Sequence, residues 1–165
     1  MARRTLITAA IILFCAALQF SALRWVRIAG TEPDLLLIVT VVIGLLSGPR
    51  AGMAAGFSAG VIEGALLGRW IGVYAAAKTI SGYLAGEVGG RLFVENLLVM
   101  MGVAAVMTLV HEGIVGLLTP ATGLGVWKTL SAGFLQTAYN GGAALLLGLC
   151  LRRIRRLLPP EEVRA

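Results

Sequence analysis

Residues 44–72 read GLLSGPRAGMAAGFSAGVIEGALLGRWIG, with glycine at every fourth position: Gly44, Gly48, Gly52, Gly56, Gly60, Gly64, Gly68 and Gly72. On an α-helix a spacing of four advances about 40° per step, so the bare positions form a slowly rotating groove rather than a scatter. Such a groove lets two helix backbones approach closely, the contact that drives association where lipid removes the hydrophobic drive. Gly82, Gly86 and Gly90 carry the same spacing into the following segment. The ladder therefore predicts a pair of tightly packed helices at the centre of a membrane protein.

Composition agrees. The chain has 165 residues, 58% of them hydrophobic and 13% charged, about half the charge of a soluble domain. Its mean hydropathy is +0.90. Glycine makes up 22 residues, about twice the usual share, and without a Gly-X-Y period it indicates helix packing, not collagen. Six spans of roughly 20 residues would use about 120 residues and leave room only for short loops. The expected spans are Thr5 to Leu23, Pro33 to Leu46, Ala51 to Leu67, Gly72 to Val88, Leu97 to Leu118 and Thr129 to Leu151. Helices are required because backbone in hydrocarbon must satisfy its own hydrogen bonds. The second span is short but well marked, since Thr31-Glu32-Pro33-Asp34 supplies a cap, an early proline and two acids suited to the positive end of the helix dipole. The division is one six-helix domain over 1–158 and a short tail over 159–165.

The net charge of +6 reads as membrane orientation and not as nucleic-acid binding, because the basic residues sit at the ends of apolar runs. With both termini cytoplasmic, Arg3, Arg4, Arg50, Arg91, Arg152, Arg153, Arg155, Arg156 and Arg164 lie inside, while Arg24, Arg27, Arg69 and Lys128 lie outside. The same arrangement places Trp25, Trp70 and Trp127 at the outer interface, where indole rings anchor. The apolar run after Arg3-Arg4 lacks a small-x-small cleavage site, so it is expected to remain as a span. The basic run Arg152 to Arg156 before Pro159-Pro160 is expected to act as a plain stop-transfer anchor, the alternative being a site that holds anionic lipid headgroups. Cys15 and Cys150 stand in separate apolar segments with no metal or redox spacing, which makes them small apolar packers.

Ionisable residues inside spans are costly and usually face protein or a water-filled cavity. Glu63, Lys78 and Glu112 fall about 7.5–9 Å below the outer ends of their helices, and Gln136 about 12 Å below Lys128. Glu63 also turns toward the glycine groove. The expectation is a buried polar layer in which Glu63 pairs with Lys78 and His111, Glu112 or Gln136 completes the set. His111-Glu112 does not put two ligands on one helical face, so metal or proton chemistry is the minor reading beside structural packing. Glu87 can reach Arg91 at i+4 as an exposed pair. With one histidine and no GxSxG, HExxH or P-loop, the chain lacks the usual parts of an enzyme, and no cofactor or metal is expected.

The stretch from Pro33 to Asn96 resembles the MreD family of rod shape-determining membrane proteins. The resemblance is carried by Pro33-Asp34-Leu35, Gly48-Pro49-Arg50-Ala51-Gly52, Gly56-Phe57 with Gly60 and Glu63, Gly68 to Gly72 with Tyr74, and Gly82-Tyr83-Leu84-Ala85-Gly86. This chain has Glu63 where the family usually has Asp. The resemblance implies a bacterial inner-membrane component of the cell-elongation machinery that binds the bitopic protein MreC. It also implies work alongside MreB filaments and the RodA/class B penicillin-binding protein synthase, and a six-helix fold similar to the substrate-binding subunits of energy-coupling-factor vitamin transporters. The competing reading is transport, with the polar layer lining a solute pocket; short outer loops with few groups to cap a ligand weigh against it. For a partner-helix interface the expected residues are Gly52, Gly56, Gly60 and Gly64, with Pro33 and Asp34 setting the second span; packing within the monomer is the competing use of the same rungs.

Overall fold

The computed structural model describes residues 2–21, 32–91, 96–119 and 126–157. Arg24, Trp25, Arg27, Pro159, Pro160 and Arg164, to which the sequence assigns interfacial or tail roles, lie outside these residues, as do the side chains of Trp127 and Lys128. The described residues form six helices and no strand: α1 (Ala2–Ser21), α2 (Leu35–Ser47), α3 (Pro49–Leu67), α4 (Ile71–Gly89), α5 (Leu97–Leu118) and α6 (Val126–Leu157). By length and apolarity α5 is the one helix that meets the full requirement for a span, while Leu6–Ser21 and Leu35–Ser47 are shorter apolar helices.

Helix α2 is the axis of the structure. Its run LLLIVTVVIGLLS is apolar all round, and nine of its residues are buried, the pattern of a helix enclosed on every side. One face packs Leu36 and Val39 against Ile12 and Ala16 of α1 and Ala55 and Ala59 of α3. The opposite face packs Leu37, Ile38, Val41, Val42 and Leu45 against Ala85 of α4, Met100, Val103, Ala104 and Met107 of α5, and Ala144 of α6. At 13 residues it is only about 20 Å long, against a hydrocarbon thickness of about 30 Å.

Gly48 ends α2 and begins α3 in a single residue. Its φ of +88° and ψ of 176° lie in a region open essentially to glycine alone, and Pro49 follows at the start of α3, where a missing N–H costs nothing. Gly68, left-handed at φ +66°, closes α3, and Trp70 takes up φ +54° before α4.

The glycine ladder sets the α3–α4 contact, the most extensive helix pair in the structure. The two helices run antiparallel in a register that faces Gly52 to Gly82, Gly56 to Lys78, Gly60 to Tyr74 and Gly64 to Ile71. At each rung an added Cβ would collide with the backbone of α4; at Gly56 it would lie 2.6 Å from the Lys78 carbonyl carbon and 2.9 Å from Thr79 Cα. Gly44 and Gly86 extend the close approach to the α2–α4 and α3–α4 junctions, with a Cβ on Gly44 falling 2.6 Å from the Gly82 carbonyl oxygen. Gly72, by contrast, has open space around it.

Away from this centre the surface is apolar. Leu6, Phe14, Phe57, Leu98, Leu117 and Phe134 are all more than half exposed, spread over four helices in a way that suits lipid contact. Helix α6 departs from expectation at its end: it continues through the basic run to Leu157 instead of stopping near Leu151. Nothing in Leu-Arg-Arg-Ile-Arg-Arg-Leu opposes helix, and the first prolines come only at Pro159-Pro160. Cys15 packs at the edge of the α1–α2–α3 cluster, whereas Cys150 is exposed.

Candidate functional site

A buried polar hub lies at the N-terminal end of α2, and each of the six described helices, or its cap, contributes at least one side chain to it. Helix α2 needs partners there because its first N–H groups have no carbonyl one turn back. Asp34 caps the helix, its Oδ1 accepting from the Leu37 N–H at 2.8 Å. Gln19 of α1 accepts from the Leu36 N–H at 3.1 Å. Asn140 of α6 accepts from the Asp34 N–H at 2.8 Å and donates through Nδ2 to Thr108 Oγ1 of α5 at 3.0 Å. Thr108 in turn donates a hydrogen bond from its hydroxyl to the Ala104 carbonyl at 2.8 Å.

The charged half of the hub is built on Lys78 of α4, which has no exposed surface. Its Nζ donates to Asp34 Oδ2 and lies 2.8 Å from Glu63 Oε2 of α3. The Glu63 contact is a buried ion pair, the second made by the same ammonium. His111 of α5 is 3% exposed, and its Nε2 has no hydrogen-bond partner. Its Nδ1 faces Glu112 Oε1 at 3.4 Å, and its ring stands 6.3 Å from that of Tyr74. Glu112 is 39% exposed at its side chain and forms the outward edge of the hub.

Asp34, Glu63 and His111 bring ligand-type atoms within 4.8 Å of one another from three helices. The spacing would suit a metal ion, but the Lys78 ammonium stands against both carboxylates and takes the position a cation would occupy. As arranged, the residues fit an internal cation and not a metal.

Glu63 and Lys78 thus meet, and His111 joins them. Glu112 touches the hub only through His111. On α6 the contributor is Asn140, one turn on from Gln136; Gln136 is half-buried and takes no part in these hydrogen bonds. Pro33 and Asp34 are both buried, with Asp34 serving Lys78 as well as α2. Gly52, Gly56, Gly60 and Gly64 are buried against α4, so another helix reaches them only by displacing it. Glu87 and Arg91 form the exposed i+4 contact at 4.0 Å.

Sequence reading missed Asp34 as the second counter-ion of Lys78, and missed Gln19, Thr108 and Asn140. Asp34 had a usable signal. On the six-span expectation, a second span too short by about 10 Å and tied at its other end to Gly48-Pro49 has to begin inside the bilayer, at the depth expected for Glu63 and Lys78.

Comparison with known proteins gives one finding. The family model for the rod shape-determining protein MreD matches residues 2–155 of the 165. No curated protein and no solved structure matches the chain. The match runs through all six helices, from the start of α1 to within two residues of the end of α6, and on it the chain belongs to the MreD family of rod shape-determining membrane proteins.

Proposed function

We propose that this chain is a non-enzymatic, six-span scaffold of the bacterial cell-elongation complex, with both termini cytoplasmic, that binds MreC and supports peripheral peptidoglycan synthesis beside MreB and the RodA/class B penicillin-binding protein pair. The family match over residues 2–155 carries the reading. The hub supports it: Asp34, Glu63, Lys78, Thr108 and Asn140 turn their polar groups on one another and on backbone, the usage of a protein that holds helices in a fixed arrangement. A fold like that of vitamin-binding transporter subunits is part of the same proposal.

The partner helix sits on the outward arc of α3. The ladder presents that arc by holding α3 against α4, and Met53, Ala54, Phe57 and Ser58 lie on it exposed. Small Ala54 and Ser58 flank the large Phe57, a surface that allows close approach beside one anchoring ring. Ser58 has already satisfied its hydroxyl on the Ala54 carbonyl at 2.9 Å, so it can enter an apolar interface without an unpaired donor.

The test is crosslinking of single-cysteine variants, made on a background without Cys15 and Cys150, to full-length MreC in membranes. Ala54→Cys and Ser58→Cys should capture MreC, while Gly72→Cys on α4 should not. Capture at neither α3 position would refute the interface; a small solute retained stoichiometrically through purification would refute the scaffold reading.

A further inference from the structure

The hub is one positive charge short. Asp34 and Glu63 bring two carboxylates into a site where both residues are at least 93% buried, and Lys78 is the only buried Lys or Arg among the described residues. An unbalanced charge in such surroundings costs several kcal/mol, so a group able to neutralise does so. Two groups there can take a proton: Glu63, which shares the single Lys78 ammonium with Asp34, and His111, whose buried Nε2 has no hydrogen-bond partner and whose ring nitrogen lies within 4.8 Å of both carboxylates.

We propose that the hub binds one exchangeable proton beyond those on Lys78, held between Glu63 and His111 and exchanged with water past Glu112. The proton brings Asp34, Glu63, Lys78 and His111 to zero net charge. Its route runs past Glu112, which is part-exposed and whose Oε1 faces His111 Nδ1 at 3.4 Å, so that a proton can arrive on one ring nitrogen and leave from the other. A divalent metal in the same place would sit beside an ammonium and leave the hub positive, which makes the proton the better-matched cation.

The groups facing this proton from each packed element are few. Helix α2 brings its cap Asp34; α3 brings Glu63, and the turn after it the exposed Arg69; α4 brings Lys78 and the half-buried Tyr74; α5 brings Glu112. Helix α6 brings the neutral Asn140, and α1 the neutral Gln19. None supplies the missing charge from a buried position.

The test uses the full chain in lipid nanodiscs with 15N-labelled histidine. His111 is the only histidine in the sequence, so its ring signals need no assignment. Infrared spectra report the protonated carboxyl of Glu63 in parallel. At pH 7 the wild type should show an imidazolium or a Glu63 carboxylic acid, and raising the pH should release about one proton in a single step with loss of that signal. Thermal stability should fall across the same step, because the proton is bound in the folded state and its contribution disappears as pH rises through release. Glu63→Gln should leave a neutral imidazole at pH 7 and a flat stability profile. If Glu63→Gln does not fold, His111→Gln should keep the Glu63 acid signal at pH 7. A wild type with neutral imidazole and ionised Glu63 at pH 7 would overturn the proposal, as would a stoichiometric metal whose chelation shifts the His111 signal.

Discussion

Gly56→Ala puts a single methyl group where α3 and α4 touch. The new Cβ would fall 2.6 Å from the Lys78 carbonyl carbon and 2.9 Å from Thr79 Cα, both backbone atoms of a helix fixed on its other sides by α2 and α5. Ordinary contact is about 3.5–4 Å, so the helices must separate by about 1 Å. Overpacking of this kind costs about 1–3 kcal/mol, and the better helix propensity of alanine returns at most about 1. The shift also drags Lys78, whose own backbone is the obstacle, away from Glu63 and Asp34. The net loss should be about 1–3 kcal/mol, equivalent to a Tm lower by roughly 2–10 °C for a chain of this size. Gly102→Ala on α5 is the matched control, since nothing lies within 4 Å of its added Cβ; it should be neutral or slightly stabilising. Thermal unfolding in detergent micelles, followed by tryptophan fluorescence, compares the two. A Gly56→Ala protein as stable as Gly102→Ala would refute the close-contact account of the ladder.

Three further outcomes are expected. Lys78→Met should destabilise the purified protein by about 3–5 kcal/mol, because it strands two buried carboxylates; adding Glu63→Gln to it should recover part of the loss, and strict additivity in that double-mutant cycle would show the two residues are not coupled. Asn140→Leu leaves the buried Asp34 N–H without an acceptor and should cost about 1–3 kcal/mol in the same melt, while Gln136→Leu, which takes nothing from the hub, should cost less. Gly48→Ala meets no steric obstacle but must hold φ near +88°, so it should cost about 1–3 kcal/mol from backbone strain alone; an unchanged melting temperature would show that the α2–α3 corner relaxes freely.

Much of this arrangement was legible in residue types, because the strongest constraints are local. The glycine spacing marks close packing wherever a neighbour exists, and α4 with its own Gly82 and Gly86 was the nearest neighbour in sequence. Helix ends followed caps and breakers: Asp34 before α2, Gly48-Pro49 between α2 and α3, and Gly68 after α3 fall within two residues of expectation. The end of α6 did not, since arginine ends a span without ending a helix. The hub was only half legible. Equal depth along separate helices could align Glu63 with Lys78, but choosing Asn140 over Gln136 requires the rotation of α6 about its axis, which apolar residues on several faces leave undetermined. Asp34 was read as an acid suited to the start of the second helix because that role is visible within four residues; that it is the cap itself emerged only in the structure, and its pairing with Lys78 spans 44.

The hydrogen bond from the Asp34 N–H to Asn140 joins groups 106 residues apart, one at the cap of α2 and one in α6. A ribosome delivers α2 long before α6, so during synthesis this amide waits for its acceptor until α6 is made and docks. A product truncated before Asn140 keeps an unmet N–H at the buried end of α2, and the cost of that vacancy falls on the helix around which the others pack.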